Sequence, residues 1–234
     1  MTSPGRHGGV DADRLGKLIT PDPETIHDYL EIRGLRVAFD GFVAVKDIDL
    51  TVTRGDLRFL IGPNGAGKTT VIDAITGLVP ATGSAAFGRK ELLGKPVHRS
   101  ARLGVGRTFQ TASVIEELDV LSNLDLAAGA SRPAVSRLRA RRGVPASVEE
   151  ALEAIGLADE RFRSAGALAH GQKQWLEIGM LLVQGARLLL LDEPVAGMSQ
   201  AEREQTADLL RAISPHRVVV VVEHDMEFLR AVAD

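Results

Sequence analysis

A nine-residue stretch most constrains what this chain folds into: Gly62-Pro63-Asn64-Gly65-Ala66-Gly67-Lys68-Thr69-Thr70, called the phosphate loop below. It fits the pattern G-x-x-x-x-G-K-[ST] without a mismatch, follows the apolar run 57–61 and precedes a helical stretch from Lys68 to about Ile75. Glycines in this pattern let backbone N–H groups converge on phosphate oxygens at a helix N-terminus, where the helix dipole also favours negative charge. Lys68 supplies a positive charge for the β- and γ-phosphates, and the Thr69 hydroxyl is a candidate ligand for Mg²⁺. The stretch therefore predicts a strand–loop–helix unit that binds a nucleoside triphosphate.

The apolar residues outside the phosphate loop predict an α/β fold. They alternate along positions 30–52, with Asp40-Gly41 as a turn signal, which favours antiparallel β structure. Leu188–Leu191 and Val218–Val222 are continuous apolar runs followed by acidic residues, as expected of strands buried on both faces of a parallel sheet. A helical pattern over Gln200–Ile213 lies between them and predicts a crossover connection.

A helical subdomain, inserted into this α/β core, is predicted at about 111–166. Four apolar residues there recur at helical spacing: Val114, Leu118, Leu121 and Leu124. Ser147 with Glu150 predicts a capping box that opens a further helix through Ile155. The arginine-rich run 132–142 favours a solvated loop over a contact with anionic lipid or a partner.

Composition excludes several classes of protein. Of the 234 residues, 44% are hydrophobic and 25% are charged, which is typical of a globular domain. The net charge of −3 argues against binding to nucleic acid through a basic surface, and the absence of cysteine removes disulfides and zinc–thiolate sites. No apolar window reaches the length of a membrane span. Residues 1–28 are rich in Gly and Pro and predict a flexible N-terminal extension, so the domain is expected over 29–234.

Two of the predicted strands end in groups suited to phosphate chemistry. We expect Asp192, at the carboxyl edge of the sheet, to face the Mg²⁺ shell, and Glu193 to be the catalytic base that deprotonates the attacking water. His224 follows the apolar run Val218–Val222, where it either reaches the γ-phosphate and senses its presence or is a solvated surface residue. The spacing leaves both interpretations open. Gln110, at the entry to the helical subdomain, is a candidate contact for Mg²⁺ or water that moves with that subdomain.

The order of these motifs resembles that of ATP-binding-cassette (ABC) ATPases, and the chain from residue 30 to 234 is similar to the ATP-binding subunit of an ABC transporter. The family's signature loop is usually Leu-Ser-Gly-Gly-Gln, and Leu168-Ala169-His170-Gly171-Gln172 matches it at the first, fourth and fifth positions. The resemblance implies a P-loop NTPase cassette with an antiparallel β subdomain and a helical subdomain. It also implies ATP and Mg²⁺ as cofactors and ATP hydrolysis as the activity.

In this family two cassettes, identical or different, face each other head to tail. The resemblance implies that Ala169, His170, Gly171 and Gln172 approach the nucleotide of the partner cassette, with the N-terminus of a helix predicted at Lys173–Val183 behind them. Phe39 matches the aromatic residue that stacks on adenine in the family. The alternative for Phe39 is a core aromatic on a β-strand.

A narrower resemblance concerns the segments 170–180 and 192–198, which are similar to the ATPases of urea importers and of their relatives, the branched-chain amino-acid importers. It implies uptake of a small solute, urea or a related amide, through separate permease subunits. A solute-binding protein would take part indirectly, and the chain would lie on the cytoplasmic face of the cell membrane. Two alternatives stay open: a soluble ABC-type ATPase of DNA repair or translation, and a regulatory cassette. Soluble ABC-type ATPases usually carry a coiled-coil insertion or a second cassette, and neither is seen in this sequence. Glu193, a candidate catalytic base, argues against a regulatory cassette that binds ATP without hydrolysing it.

The chain departs from the family pattern at two positions. Ala169 replaces the signature serine, whose hydroxyl would donate to the partner's γ-phosphate, so slower hydrolysis is expected. Ser199 stands where the family's dimer-contact loop often has aspartate. Family members also continue beyond His224 with further strands and a helix, so the cassette is expected to be truncated at its C-terminus after an amphipathic helix within 226–234.

Overall fold

The computed structural model describes residues 28–109, 112–130 and 143–233, and these residues form two four-stranded sheets and a group of helices. Gln110 and the arginine-rich run 132–142 lie outside the described residues, as does the predicted extension at 1–28 apart from Asp28. Over the described part of the chain, no helix is both long enough and apolar enough to cross a membrane.

The predicted antiparallel sheet is confirmed. Its strands are β1 (Tyr29–Phe39), β2 (Phe42–Thr53), β4 (Thr82–Phe87) and β5 (Lys90–Glu91), in the order β2-β1-β4-β5. Asp40 and Gly41, with φ of 41° and 88°, form the tight turn between β1 and β2 and bring Phe39 opposite Phe42.

The second sheet is parallel throughout, as predicted. Its strands are β3 (Leu57–Leu60), β6 (Val105–Arg107), β7 (Leu188–Asp192) and β8 (Val218–Val222), in the order β3-β8-β7-β6. Every residue of β7 and β8 is buried, which explains their continuous apolar sequence. The crossover helix occupies Gln200–Ile213, the range predicted from its pattern, and the helix after the phosphate loop occupies Lys68–Thr76.

Alternate residues of the central strands belong to different cores. Leu188 and Leu190 of β7 pack in a cluster with the antiparallel sheet and helix Lys68–Thr76. Leu189 and Leu191 pack on the opposite face against the helical part of the chain. The parallel sheet is therefore the middle layer between these two cores.

The helices, in chain order, are α1 (Lys68–Thr76), α2 (Val97–Arg102), α3 (Val120–Ala130), α4 (Ala146–Ala154), α5 (His170–Val183), α6 (Gln200–Ile213) and α7 (Met226–Ala233). Helices α3 and α4 lie within the range predicted for the helical subdomain, and they share one apolar core with α5, which lies outside that range. The C-terminal amphipathic helix is confirmed as α7, whose Phe228 is 1% exposed and packs edge-on to Phe59 of β3.

Three predicted helix starts are wrong. Helix α3 begins at Val120 rather than near Val114, because the Asp119 carboxylate accepts the Ser122 N–H at 2.6 Å and caps the helix there. Ser147 is not an N-cap, since α4 already begins at Ala146 behind Pro145, whose ring fixes φ near the helical value. Helix α5 begins at His170, three residues before the predicted start, so the signature residues form its first turn.

Candidate active site

The phosphate loop leads from β3 directly into α1, as predicted. Gly65 and Gly67 have φ of 81° and 84°, a region that glycine adopts without strain. A Cβ placed on Gly67 would lie 2.5 Å from the Ala44 carbonyl oxygen of β2, so the loop packs against the antiparallel sheet only because this position is glycine. The backbone N–H groups at the start of α1 are left facing a cleft, which makes the site suited to an anion.

Lys68 folds back over the loop. Its Nζ donates to the carbonyl oxygens of Gly62 and Pro63, at 2.7 and 2.9 Å. Among the described residues, no carboxylate pairs with this ammonium, so an entering phosphate would compete there with two neutral carbonyl acceptors.

The cleft beside the loop has a volume of about 470 Å³. Its lining includes Phe39, Phe42 and Glu193, together with residues of the phosphate loop: Asn64, Gly65, Gly67, Lys68, Thr69 and Thr70. Phe39 is 42% exposed and Phe42 is 67% exposed. Phe39 is therefore not a core aromatic. Phe42, which the sequence reasoning missed, presents a second ring because the two-residue turn sets it opposite Phe39.

A hydroxyl that lines the cleft meets a buried carboxylate of β7. Thr69 Oγ1 lies 3.2 Å from Asp192 Oδ1 and donates to it. Asp192 is 1% exposed, and its other oxygen, Oδ2, accepts no hydrogen bond from the described residues. Burial raises the pKa of Asp192, and the nearby Arg107 guanidinium opposes that rise.

These two oxygen donors fit a magnesium ion. Mg²⁺ in nucleotide sites is held by one or two protein oxygens and otherwise by phosphates and water. Within the described ranges there is no cluster of three or more His, Asp or Glu that would form an all-protein cage. Asp192 Oδ2 accepts no hydrogen bond from the described residues and has the Arg107 guanidinium 3.5 Å away, so the buried carboxylate keeps a lone-pair acceptor that a cation would use.

Arg107 is a component of the site to which the sequence reasoning gave no role. Its guanidinium is paired with Asp73 of α1 and lies 3.5 Å from Asp192 Oδ2. It also stacks 4.9 Å from the centre of the Phe109 ring. Arg107 thus partly neutralises two carboxylates behind the phosphate loop.

Glu193 lies at the mouth of the cleft in a strained backbone conformation. Its φ is 49°, in the left-handed region that costs a non-glycine residue about 1 kcal/mol or more. Its N–H donates to the Val222 carbonyl oxygen at 2.9 Å, which ties the turn after β7 to the end of β8. This turn directs the Glu193 side chain to the cleft, whereas Asp192, one residue earlier, stays buried.

His224 lies between two carboxylates. Its Nδ1 is 3.6 Å from Glu193 Oε1 and 3.7 Å from Glu223 Oε2, and its side chain is 54% exposed. The backbone N–H groups of His224 and Asp225 donate to Glu223, at 2.7 and 3.1 Å, which fixes the turn after β8. The structure thus brings His224 close to Glu193, so His224 is not an isolated surface histidine.

The signature residues do not line this cleft. Ala169 is the N-cap of α5, and the Gln172 side chain accepts the Ala169 N–H at 3.0 Å. A Cβ on Gly171 would lie 2.6 Å from Glu202 Oε1, because the Glu202 carboxylate packs over the first turn of α5. His170 and Ala169 are exposed.

Glu202 joins the signature loop to the loop that precedes α6. Its carboxylate accepts the hydroxyl and the N–H of Ser199, at 2.7 and 2.8 Å, and interacts with the backbone of Gly171. These hydrogen bonds lower the pKa of Glu202. Ser199 is the N-cap of α6, so the residue that departs from the family's aspartate has a helix-capping role.

The arrangement defines a class of protein: a P-loop nucleoside triphosphatase whose phosphate loop faces a strand ending in Asp-Glu. The family model of the ABC transporter matches residues 45–196. The high-affinity branched-chain amino acid transport ATP-binding protein BraF of Pseudomonas aeruginosa is 36% identical over 218 residues, covering 88% of this chain and 85% of BraF. The corresponding LivG protein of Escherichia coli K12 is 34% identical over 217 residues, with the same coverage.

A solved structure agrees with this assignment. The ADP conformation of MJ1267, an ATP-binding cassette of an ABC transporter, is 28% identical, has a TM-score of 0.73 and matches 86% of this chain and 83% of its own. The chain therefore belongs to the ABC transporter family. It is an ATP-binding subunit that hydrolyses ATP, with Mg²⁺, to drive transport. ATPase subunits of this class work as dimers on transmembrane permease subunits.

Proposed function

We propose that this chain powers an importer, as one of two cassettes on separate permease subunits. The observation that supports the pairing of two cassettes is the position of the signature residues. They form the start of helix α5 and do not line the chain's own cleft. Ala169 and His170 are exposed at this helix start, a position that favours a phosphate, and a second cassette would supply one. The name of one relative supports import: the ribose import ATP-binding protein RbsA 1 of Burkholderia thailandensis is 31% identical over 207 residues, which cover 88% of this chain and 40% of RbsA 1.

The residues of the site have distinct proposed roles. The phosphate loop and Lys68 bind the phosphates, and Phe39 stacks on adenine with Phe42 beside it. Thr69 and Asp192 hold Mg²⁺, which neutralises charge on the phosphates. Gln110 remains a proposed contact for Mg²⁺ or water, and its neighbours Thr108 and Phe109 lie against this end of the site.

Glu193 and His224 are the proposed groups that act on the attacking water. Glu193 accepts the water's proton, since it is the carboxylate that lines the cleft and its backbone strain marks a position held for function. His224, 3.6 Å from Glu193 Oε1, orients that carboxylate and reaches the γ-phosphate. In trans, Ala169, His170, Gly171 and Gln172 would close the site from the partner cassette.

The transported solute is proposed to be small and polar. Urea or a related amide is supported by the likeness of segments 170–180 and 192–198 to urea-importer ATPases. A branched-chain amino acid is the second candidate, favoured by the names of BraF and LivG. The chain would then lie on the cytoplasmic face of the cell membrane, held there by permeases, with a solute-binding protein acting on the far side.

The test is to express this chain with tagged permease subunits that co-purify with it, and to reconstitute the complex in vesicles with the matching binding protein. ATP-dependent uptake is measured for urea, leucine and ribose in parallel, with a Glu193→Gln complex as the inactive control. Uptake of urea alone supports the first candidate, and uptake of leucine alone supports the second. A chain that hydrolyses ATP but binds no permease would refute the importer proposal.

A further inference from the structure

The Arg107 guanidinium, at the end of β6, is buried among four partners. The side chain is 9% exposed. At one end, Nη1 pairs with Asp73 and donates to Thr76 Oγ1 at 3.4 Å. At the other end, Nη2 lies 3.5 Å from Asp192 Oδ2, and Cζ lies 4.9 Å from the centre of the Phe109 ring. A planar guanidinium has two ends that can face two carboxylates at once, whereas the compact ammonium of lysine is a single point charge.

Helix α1 presents the residues that meet Arg107 and Asp192 on one face. Thr69, Asp73 and Thr76 are spaced by four and three residues, which places them on the same side of the helix. The first of them donates to Asp192 Oδ1 at 3.2 Å, and the other two meet Arg107. The same face of α1 therefore carries a candidate magnesium ligand and the anchor of the Arg107 side chain.

The backbone at Arg107 is fixed to β7. The strands β6 and β7 pair in parallel, with Arg107 opposite Leu190. The next residue, Thr108, donates its N–H to the Leu190 carbonyl oxygen at 3.0 Å, and its hydroxyl accepts the Asp192 N–H at 3.2 Å. Arg107 thus reaches from the strand that carries Asp192 to the helix that carries Thr69.

These contacts close a ring around the Asp192 carboxylate. Thr69 holds Oδ1, one turn of α1 leads from Thr69 to Asp73, and Asp73 pairs with Arg107, which faces Oδ2. At 3.5 Å this last contact is an ion pair without a hydrogen bond, so Oδ2 keeps a lone pair for a cation. Without the guanidinium that both face, the carboxylates of Asp73 and Asp192 would repel each other.

We propose that Arg107 is a positioning residue for the magnesium site, which fixes the Asp192 carboxylate beside the Thr69 hydroxyl by joining β7 to α1. Arg107 does not line the cleft, so it acts through Asp192 and not on the nucleotide. Partners that hold a metal ligand in place contribute about 10- to 100-fold to the affinity for the metal. Arg107 therefore sets how much Mg²⁺ strengthens nucleotide binding. The inference rests on the proposed roles of Thr69 and Asp192 as ligands of Mg²⁺.

The first test measures the gain in affinity that Mg²⁺ gives to nucleotide binding by the full chain. Titration calorimetry with a non-hydrolysable ATP analogue, in EDTA and in excess Mg²⁺, compares the wild type with Arg107→Met and Arg107→Lys. Arg161→Lys is the matched control, because Arg161 also pairs with a carboxylate, Glu149, and lies 5.7 Å from the centre of the Phe162 ring, but outside the cleft. We expect both Arg107 variants to bind the metal-free analogue like the wild type and to lose about 10- to 100-fold of the gain from Mg²⁺. The control should keep the whole gain.

The metal-free measurement also shows that each variant is folded, so a lost Mg²⁺ gain does not come from unfolding. An unchanged gain in Arg107→Met would overturn the proposal, and so would a larger gain, because the guanidinium would then compete with Mg²⁺. A full gain in Arg107→Lys would show that charge alone is needed and would refute the positioning role. Asp192→Asn separates this inference from the site on which it rests. If Asp192→Asn keeps the whole gain, the magnesium site itself is wrong, whereas a loss in Asp192→Asn alone refutes only the role of Arg107.

The second test asks whether Asp73 acts through Arg107. Asp73 does not line the cleft, so Asp73→Asn removes the anchor on α1 without removing a cleft residue, and it should lower the Mg²⁺ gain by about threefold or more. In the Arg107→Met background the same substitution should cost less than about twofold, because the residue through which it acts is already absent. Losses that multiply independently would refute the ring.

Discussion

The substitution Ala169→Ser should raise both the thermal stability and the ATPase activity of this chain, for two separable reasons. Ala169 is exposed and is the N-cap of α5, with ψ of 160° and no side-chain hydrogen bond to the helix. Half of a capping box is already present, since the Gln172 side chain accepts the Ala169 N–H at 3.0 Å. A serine hydroxyl would supply the missing acceptor for the Gln172 N–H.

The magnitude follows from this geometry. Alanine at an N-cap is less stable than serine by typically about 1 kcal/mol, so Ala169→Ser should stabilise the chain by about that amount. For a chain of 234 residues this corresponds to a rise of about 2–4 °C in the thermal unfolding midpoint. In the closed dimer the hydroxyl would also donate to the partner's γ-phosphate. A hydrogen bond to a charged group contributes about 1.5–3 kcal/mol, so the ATPase rate should rise by up to about 10- to 100-fold.

Ala169→Gly separates the two effects. Glycine is nearly as good an N-cap as serine but has no hydroxyl, so it should raise the unfolding midpoint without raising ATPase activity. Calorimetry of the nucleotide-free chain measures the first effect, and phosphate release by the assembled transporter measures the second. If Ala169→Ser leaves ATPase activity unchanged or lower, the hydroxyl does not act at the γ-phosphate. If neither variant raises the midpoint, the N-cap assignment is wrong.

Three further results are expected. Gly67→Ala should abolish MgATP binding in titration calorimetry, because the new Cβ would lie 2.5 Å from the Ala44 carbonyl oxygen. Gly65 has a similarly positive φ but nothing within 4 Å of an added Cβ, so Gly65→Ala should lose less affinity. Glu193→Gln should keep MgATP binding but lose at least about 100-fold in kcat and accumulate a dimer in size-exclusion chromatography, so retained hydrolysis would remove Glu193 from the mechanism. Burial raises the pKa of Glu177 from 4.5 to about 7. Below pH 4.5 the carboxyl is protonated in both the folded and the unfolded chain and costs no stability. As the pH rises from 4.5 to 7 the free energy of unfolding falls, and above pH 7 the loss is complete. Relative to Glu177→Gln, the wild type should therefore lose up to about 3 kcal/mol of unfolding free energy over that pH range in urea titrations, and parallel curves would contradict the raised pKa.

Elements with a strong local signal agree with the structure. The phosphate loop, helix α6 and the strands β7 and β8 were predictable because their patterns are set by neighbouring residues: glycine conformation, period-3.6 spacing and continuous apolar runs. Helix starts were less predictable. The start of α5 at His170 depends in part on Glu202, which is distant in sequence and packs over Gly171.

The order of the elements and the candidate residues of the site were predictable from the amino-acid sequence, because each motif carries its own residue types at fixed spacing. Only the tertiary structure decided which side chains support that chemistry. Arg107 meets Asp73 and Asp192, and Glu177 meets Ser113, across separations that no local pattern encodes. A charge buried in an apolar segment shows that a partner is needed, but the packing of the sheets and helices decides which residue it is.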